Sequence, residues 1–127
     1  MFVFVYGSLK KGRGNHRLLD RNGVEMVCTG TIDGSMWGKG MGFPYAKFDT
    51  GKVVKGEMYY VDREVEKKVL RDLDWLEGYN ETHPEDSFYV RKEILVKDET
   101  GVEHLAYGYE INTTYDFMDE ENRIEEW

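Results

Sequence analysis

One stretch of helical periodicity, in a chain otherwise built of strand-like runs, is the feature that most limits the fold. Val65, Val69, Leu70, Leu73 and Leu76 recur at the spacing that places apolar side chains on one helix face. Asp62 stands where a helix N-cap is expected, and Gly78 where a left-handed C-terminal stop is expected. The other apolar segments are too short or too regularly alternating for helices. Phe2 to Tyr6 reads as a buried strand. Val24 to Ile32 reads as a second, with Val24, Met26 and Cys28 as its inward set and Gly30 as a bulge. Val53 to Val61 is rich in β-branched and aromatic residues. Phe88 to Val96 and His104 to Ile111 form two strands joined through the turn Asp98-Glu99-Thr100-Gly101. Gly34 to Gly42 reads as turns around one short strand, and Leu9 to Asn22 as a polar loop with a helical turn near His16 to Leu19. One helix among several strands, with no strand–helix–strand alternation, predicts an α+β sheet or open barrel with the helix packed on it.

The 127 residues suit one domain spanning 1–127, with an acidic tail from about residue 116. That tail carries six carboxylates and one arginine, and is expected to be a solvated end. The formal net charge of −8 argues against nucleic acid and anionic membrane surfaces as partners. A membrane span needs about 20 apolar residues, and none is present. No basic leader with a cleavage site precedes the first strand, and Cys28 is the single cysteine. These features predict a reducing, cytoplasmic setting.

Several motifs resemble known sites and fail on chemistry. Gly7 to Gly14 spaces two glycines like a phosphate loop, but Arg13 and Gly14 stand where Lys and Ser/Thr are required. Gly38, Gly40 and Gly42 lack the third glycine of a dinucleotide fingerprint. His16, His83 and His104 have no metal-ligand spacing, so no metal is expected. Ser8 lacks the elbow of a hydrolase nucleophile, and Cys28 in an apolar strand reads as a buried, inert thiol.

Two features suggest chemistry. Tyr6-Gly7-Ser8-Leu9 ends a strand in a glycine turn, a geometry that frees backbone N–H groups to face an anion or carbonyl oxygen. Glu77 falls just before the helix stop, where the macrodipole favours cations. A carboxylate there is expected to have a raised pKa, which suits proton transfer. Alternation also sets Tyr89 and Arg91 on one strand face.

Tyr6-Gly7-Ser8-Leu9, Gly12 with Asn15, Leu18-Leu19, Phe43-Pro44, Gly56-Glu57-Met58-Tyr59, Leu73-Asp74 with Glu77-Gly78-Tyr79, Tyr89-Val90-Arg91 and Ala106-Tyr107 occur in that order. Together they resemble the gamma-glutamylcyclotransferase-like family, over about Phe2 to Tyr109. The resemblance implies a mixed β-barrel with flanking helices and a cavity at its mouth. It implies Glu77 as acid/base, with Tyr6, Gly7, Ser8, Leu9, Pro44 and Tyr89 binding a small γ-glutamyl substrate. It implies no cofactor. In the implied reaction the substrate's α-amine attacks its own γ-carbonyl, releasing 5-oxoproline and a free amine. A non-catalytic ligand-binding protein on the same fold is the alternative, and a carboxylate in the Glu77 slot favours the enzyme. The polar spacer Asn80 to Ser87 follows Glu77 directly and is expected to border the cavity and to be mobile.

Overall fold

Alternation along the strands sorts the apolar residues into two layers, one on each face of a closed sheet. The computed structural model describes residues 1–127. Its strands are β1 (Phe2–Val5), β2 (Val24–Trp37), β3 (Tyr45–Val61), β4 (Tyr89–Lys97) and β5 (Glu103–Ile111), and its helix is α1 (Glu66–Glu77). The strands close into a barrel in the order β1-β3-β2-β4-β5. The pairing of β1 with β5 is parallel and the rest are antiparallel, so the barrel is mixed. The expected α+β barrel with one main helix is the observed architecture.

One layer fills the barrel. Phe4, Tyr6, Ile32, Met36, Ala46, Phe48, Val54, Met58, Ile94, Val96 and Ala106 pack together, with contributions from all five strands. The other layer lies between the barrel wall and α1. There Val69 and Leu73 of the helix meet Val3, Val5, Tyr59, Val61, Tyr109 and Ile111. Val3 and Val5 of β1 face the helix while Phe4, and Tyr6 just after the strand, face the interior, as a period of two requires. Val69 and Leu73 are fully buried, and each contributes roughly 1.5–3 kcal/mol of transfer free energy.

Several local expectations change. β2 continues past Ile32 to Trp37, so the segment read as turns from Gly34 is strand over its first part and forms a long hairpin with β3. Gly30 pairs in register with Gly56. The irregularities of β2 fall instead between Met26 and Cys28 and between Asp33 and Gly34. The extra residue Val27 reverses the pleat. Val24 therefore packs against the helix-side layer, Cys28 against the barrel interior, and Met26 is exposed. Asp62 makes no capping hydrogen bond. A 3₁₀ turn, Arg63–Val65, comes between it and α1. The stop at Gly78 is as expected, with φ 66° and its N–H bonded back to the last turn.

Polar bonds fix the helix on the barrel. Asp74 of α1 accepts from Arg91 of β4 at 2.6 Å and from the Tyr109 hydroxyl of β5 at 2.6 Å. Arg21 donates to Asp72 at 2.9 Å. These bonds, with the buried Val69–Leu73 stripe, hold the C-terminal end of α1 beside the end of β1.

Candidate active site

Where β1 ends, α1 ends and β4 begins, the chain encloses a cavity of about 220 Å³. Tyr6, Gly7, Ser8, Leu9, Pro44, Glu77 and Tyr89 all line it, although they are spread over more than 80 positions of sequence. Asn15, Phe43, Leu76, Phe88 and Tyr109 line it too, and the residue patterns alone assign them no role there. Tyr6, Gly7, Leu9 and Tyr89 are buried and form the floor, while Phe43 and Phe88 are exposed at the mouth.

The loop after β1 is held through its carbonyls. Gly7 O accepts from Lys10 N–H at 3.0 Å, Ser8 O from Asn15 N–H at 2.9 Å, and Leu9 O contacts His16 Nδ1 at 2.9 Å. Asn15 also donates through Nδ2 to Ser8 Oγ at 2.8 Å. The amides of Gly7, Ser8 and Leu9 donate to no group within the chain. Unpaired amides are costly where the backbone is buried, as at Gly7 and Leu9, unless a bound group accepts from them.

Glu77 is the last residue of α1 and is half-buried. It makes no ion pair or hydrogen bond. Burial pushes its carboxyl from 4.5 up to about 7. The raised value agrees with the expectation for a proton-transfer group, but the cause is desolvation, not the helix dipole. Tyr6, Tyr89 and Tyr109 are pushed the other way from reactivity. Burial, chiefly, raises their pKa values, and the nearby Glu77 adds to this. Their hydroxyls are also committed, Tyr6 to Tyr109 O, Tyr89 to Pro44 O at 2.6 Å and Tyr109 to Asp74 at 2.6 Å. Glu77 is thus the one lining side chain that is acidic, unpartnered and poised near neutrality.

Arg91 does not line the cavity. It bonds Asp74 and stacks over Tyr79 and Tyr107 at 5.3 and 5.4 Å, so its part is to seat the helix that carries Glu77.

Asn80 to Ser87 does not border the cavity, contrary to the expectation. The loop closes on itself. Asn80 N–H donates to the buried Ser87 Oγ at 2.8 Å, and Asn112 Nδ2 donates to the carbonyls of Pro84, Glu85 and Ser87. His83, Glu85 and Asp86 come together on its exposed surface, with donor atoms within 4.8 Å of one another. The acidic tail is only partly a solvated end. Its carboxylates are exposed, but Tyr115 and Phe117 pack on the helix-side layer and Ile124 pairs with Met36. Lys10 and Arg13 both donate to Trp127 O, and Arg13 lies 4.7 Å over the Trp127 ring. No helix is long and apolar enough to cross a membrane.

Comparisons with known proteins show the family and the fold. The family model described as gamma-glutamyl cyclotransferase, AIG2-like, matches residues 3–127. Gamma-glutamylaminecyclotransferase B of Danio rerio is 30% identical, over 94% of this chain and 80% of that protein. Gamma-glutamylaminecyclotransferase C of the same fish is 33% identical, over 91% and 79%. A crystal structure of an AIG2-like protein from Mus musculus superposes with a TM-score of 0.66 at 28% identity, covering 91% of this chain and 79% of that one. YkqA from Bacillus subtilis, at 24% identity and a TM-score of 0.65, shares the fold. This chain, 89% of it aligned, spans only 36% of that protein. On the family match across nearly its whole length, this chain belongs to the gamma-glutamyl cyclotransferase, AIG2-like, family.

Proposed function

We propose that the cavity binds a γ-glutamyl compound and that Glu77 serves as acid and base in its cyclisation to 5-oxoproline. The observation that carries this reading is the pairing of one free carboxyl near pKa 7 with three unpaired amides in a single cavity.

The chemistry follows from what each group can do. Glu77 takes a proton from the substrate's α-ammonium, whose ordinary pKa is about 8, so the two are nearly matched. The freed amine attacks the γ-carbonyl carbon, forming the ring C–N bond and a tetrahedral oxyanion. The unpaired amides of Gly7, Ser8 and Leu9 are suited to hold the substrate's carboxylate or this oxyanion, and a preorganised donor of that kind adds roughly 10²–10³. Collapse breaks the bond to the leaving amine, which takes the proton held by Glu77. The ring nitrogen, cationic after attack, gives up its second proton to the same carboxylate, and the amine departs as an ammonium. The attack is intramolecular, where effective molarities reach about 10⁵–10⁸ M, and acid–base assistance adds roughly 10²–10⁴.

The test is 5-oxoproline release from glutathione, γ-glutamyl amino acids and γ-glutamyl-lysine, with wild type beside Glu77→Gln. Release by wild type and its loss in the variant are expected. No release from any γ-glutamyl compound would remove the reading.

A further inference from the structure

We infer that Trp127 is a positioning residue: by holding Lys10 and Arg13 from outside the cavity, it fixes the Gly7, Ser8 and Leu9 amides that receive the substrate. This deepens the cyclotransferase reading and rests on it.

Few polar bonds hold the amide loop in place. Those on its own carbonyls come from Lys10, Asn15 and His16, so they shape the loop but move with it. Three hydrogen bonds tie residues 7–18 to the rest of the chain, and two of them end on one atom, Trp127 O. Lys10 Nζ reaches it at 2.5 Å and Arg13 Nη2 at 3.0 Å, while the third bond runs from Lys11 N–H to Glu57 Oε1 at 2.8 Å. Lys10 and Arg13 also close the two turns that follow the amides. Lys10 N–H donates to Gly7 O and Arg13 N–H to Lys10 O, both at 3.0 Å. A shift of either side chain is therefore passed to Gly7 within two turns of backbone.

Trp127 can act as an anchor because the tail is itself seated on the barrel. β1 pairs with β3 as far as Val5 opposite Glu57, then turns away into the loop. The tail takes up the strand edge that β1 vacates, where Lys55 N–H donates to Glu125 O at 2.7 Å. Ile124 N–H donates to Met36 O at 2.8 Å, and the side chains of Ile124 and Trp127 pack on the barrel-interior layer. The indole of Trp127 is left facing Arg13, whose guanidinium lies 4.7 Å from the ring centroid. Trp127, Lys10 and Arg13 do not line the cavity, so their effect on turnover must run through the loop. Amides stabilise a bound anion or developing oxyanion only when they are already aimed at it.

The experiment measures kcat/KM for 5-oxoproline release from glutathione, γ-glutamyl amino acids and γ-glutamyl-lysine, together with amide hydrogen exchange. The variants are Trp127→Ala, Trp127→Phe and the double variant Lys10→Gln with Arg13→Gln. Trp127→Ala and the double variant are expected to lose about 10- to 100-fold in kcat/KM, the scale of a misplaced binding group. Trp127→Ala changes no charge, so its loss cannot come from weaker attraction of an anionic substrate. Trp127→Phe keeps an apolar seat and a ring for Arg13, and is expected to restore most of the activity. Exchange at the Lys10, Arg13 and Asn15 amides should quicken in the two impaired variants, with α1 unchanged. Wild-type kcat/KM in Trp127→Ala, or faster exchange that spreads to α1, would overturn the inference while the cyclotransferase reading stands. If wild type releases 5-oxoproline from no compound, both fail together.

Discussion

Gly7 lies so close against Pro44 that a Cβ on the glycine would be 2.8 Å from the proline Cγ and 2.9 Å from its Cδ. The proline ring cannot swing away as a flexible side chain would. Its carbonyl is also tied to the Tyr89 hydroxyl. The contact joins the end of β1 to the segment before β3, and both line the cavity.

Gly7→Ala should therefore separate the two walls. We expect a loss of about 1–3 kcal/mol, the usual cost of overpacking, together with a raised KM. Thermal melts and steady-state kinetics check it. An alanine variant with unchanged melting temperature and KM would show that the contact is slack.

Glu77→Gln keeps the shape of the side chain and removes its proton chemistry. We expect kcat to fall by at least about 10²–10⁴ with circular dichroism unchanged. Gln variants of Glu64 and Glu66, which lie in the first turns of the same helical segment and away from the cavity, should retain turnover. Unchanged activity in Glu77→Gln would end the assignment of this residue.

The same carboxyl sets two pH dependences. Turnover should rise with pH through an apparent value near 7 as Glu77 deprotonates, and Glu77→Gln should lack that limb. For stability the folded-state pKa lies above the unfolded one, so the folded form holds the proton more tightly. That contribution is complete below pH 4.5 and is lost as pH rises to about 7. Glu77→Gln should match wild type in stability below pH 4.5. Above pH 7 it should be more stable by on the order of 2–3 kcal/mol, allowing for screening by cavity water. Denaturant titrations at pH 4 and pH 8 measure the difference. A constant offset across that range would contradict the burial of this group.

Asp74→Ala leaves Arg91 and the Tyr109 hydroxyl half-buried without their shared acceptor. We expect a cost of about 1–3 kcal/mol, because the Tyr109 hydroxyl is left without an acceptor and Arg91 keeps only the exposed Glu81 carboxylate at 3.6 Å. Turnover should suffer through displacement of α1. A melting temperature equal to wild type would mean that the apolar stripe alone seats the helix.

Ser87→Ala should destabilise the 80–87 loop by about 1–2 kcal/mol, since Ser87 Oγ accepts from Asn80 N–H. Because the loop stands apart from the cavity, KM for any γ-glutamyl compound should be unchanged. A shift in substrate preference would place the loop at the site after all.

Local patterns in the chain determined the elements and their class. The 65–76 stripe and Gly78 specify one helix and its end, since both depend on neighbours along the chain. Strand alternation specifies two apolar faces, and the Tyr6–Leu9 turn and Glu77 were legible because glycine and a misplaced carboxylate are local anomalies. Tertiary structure alone decided the rest. The bulge at Val27 sends Val24 and Cys28 to opposite faces, because one extra residue reverses the pleat and only pairing with β3 reveals it. The tail's apolar residues found partners in β2 and in the helix-side layer, which no local pattern announces. The pKa of Glu77 near 7 comes from burial, which closure of the barrel against α1 imposes. Phe43 and Phe88 meet at the cavity mouth across 45 positions of sequence, a contact made only when the ends of β3 and β4 are brought together.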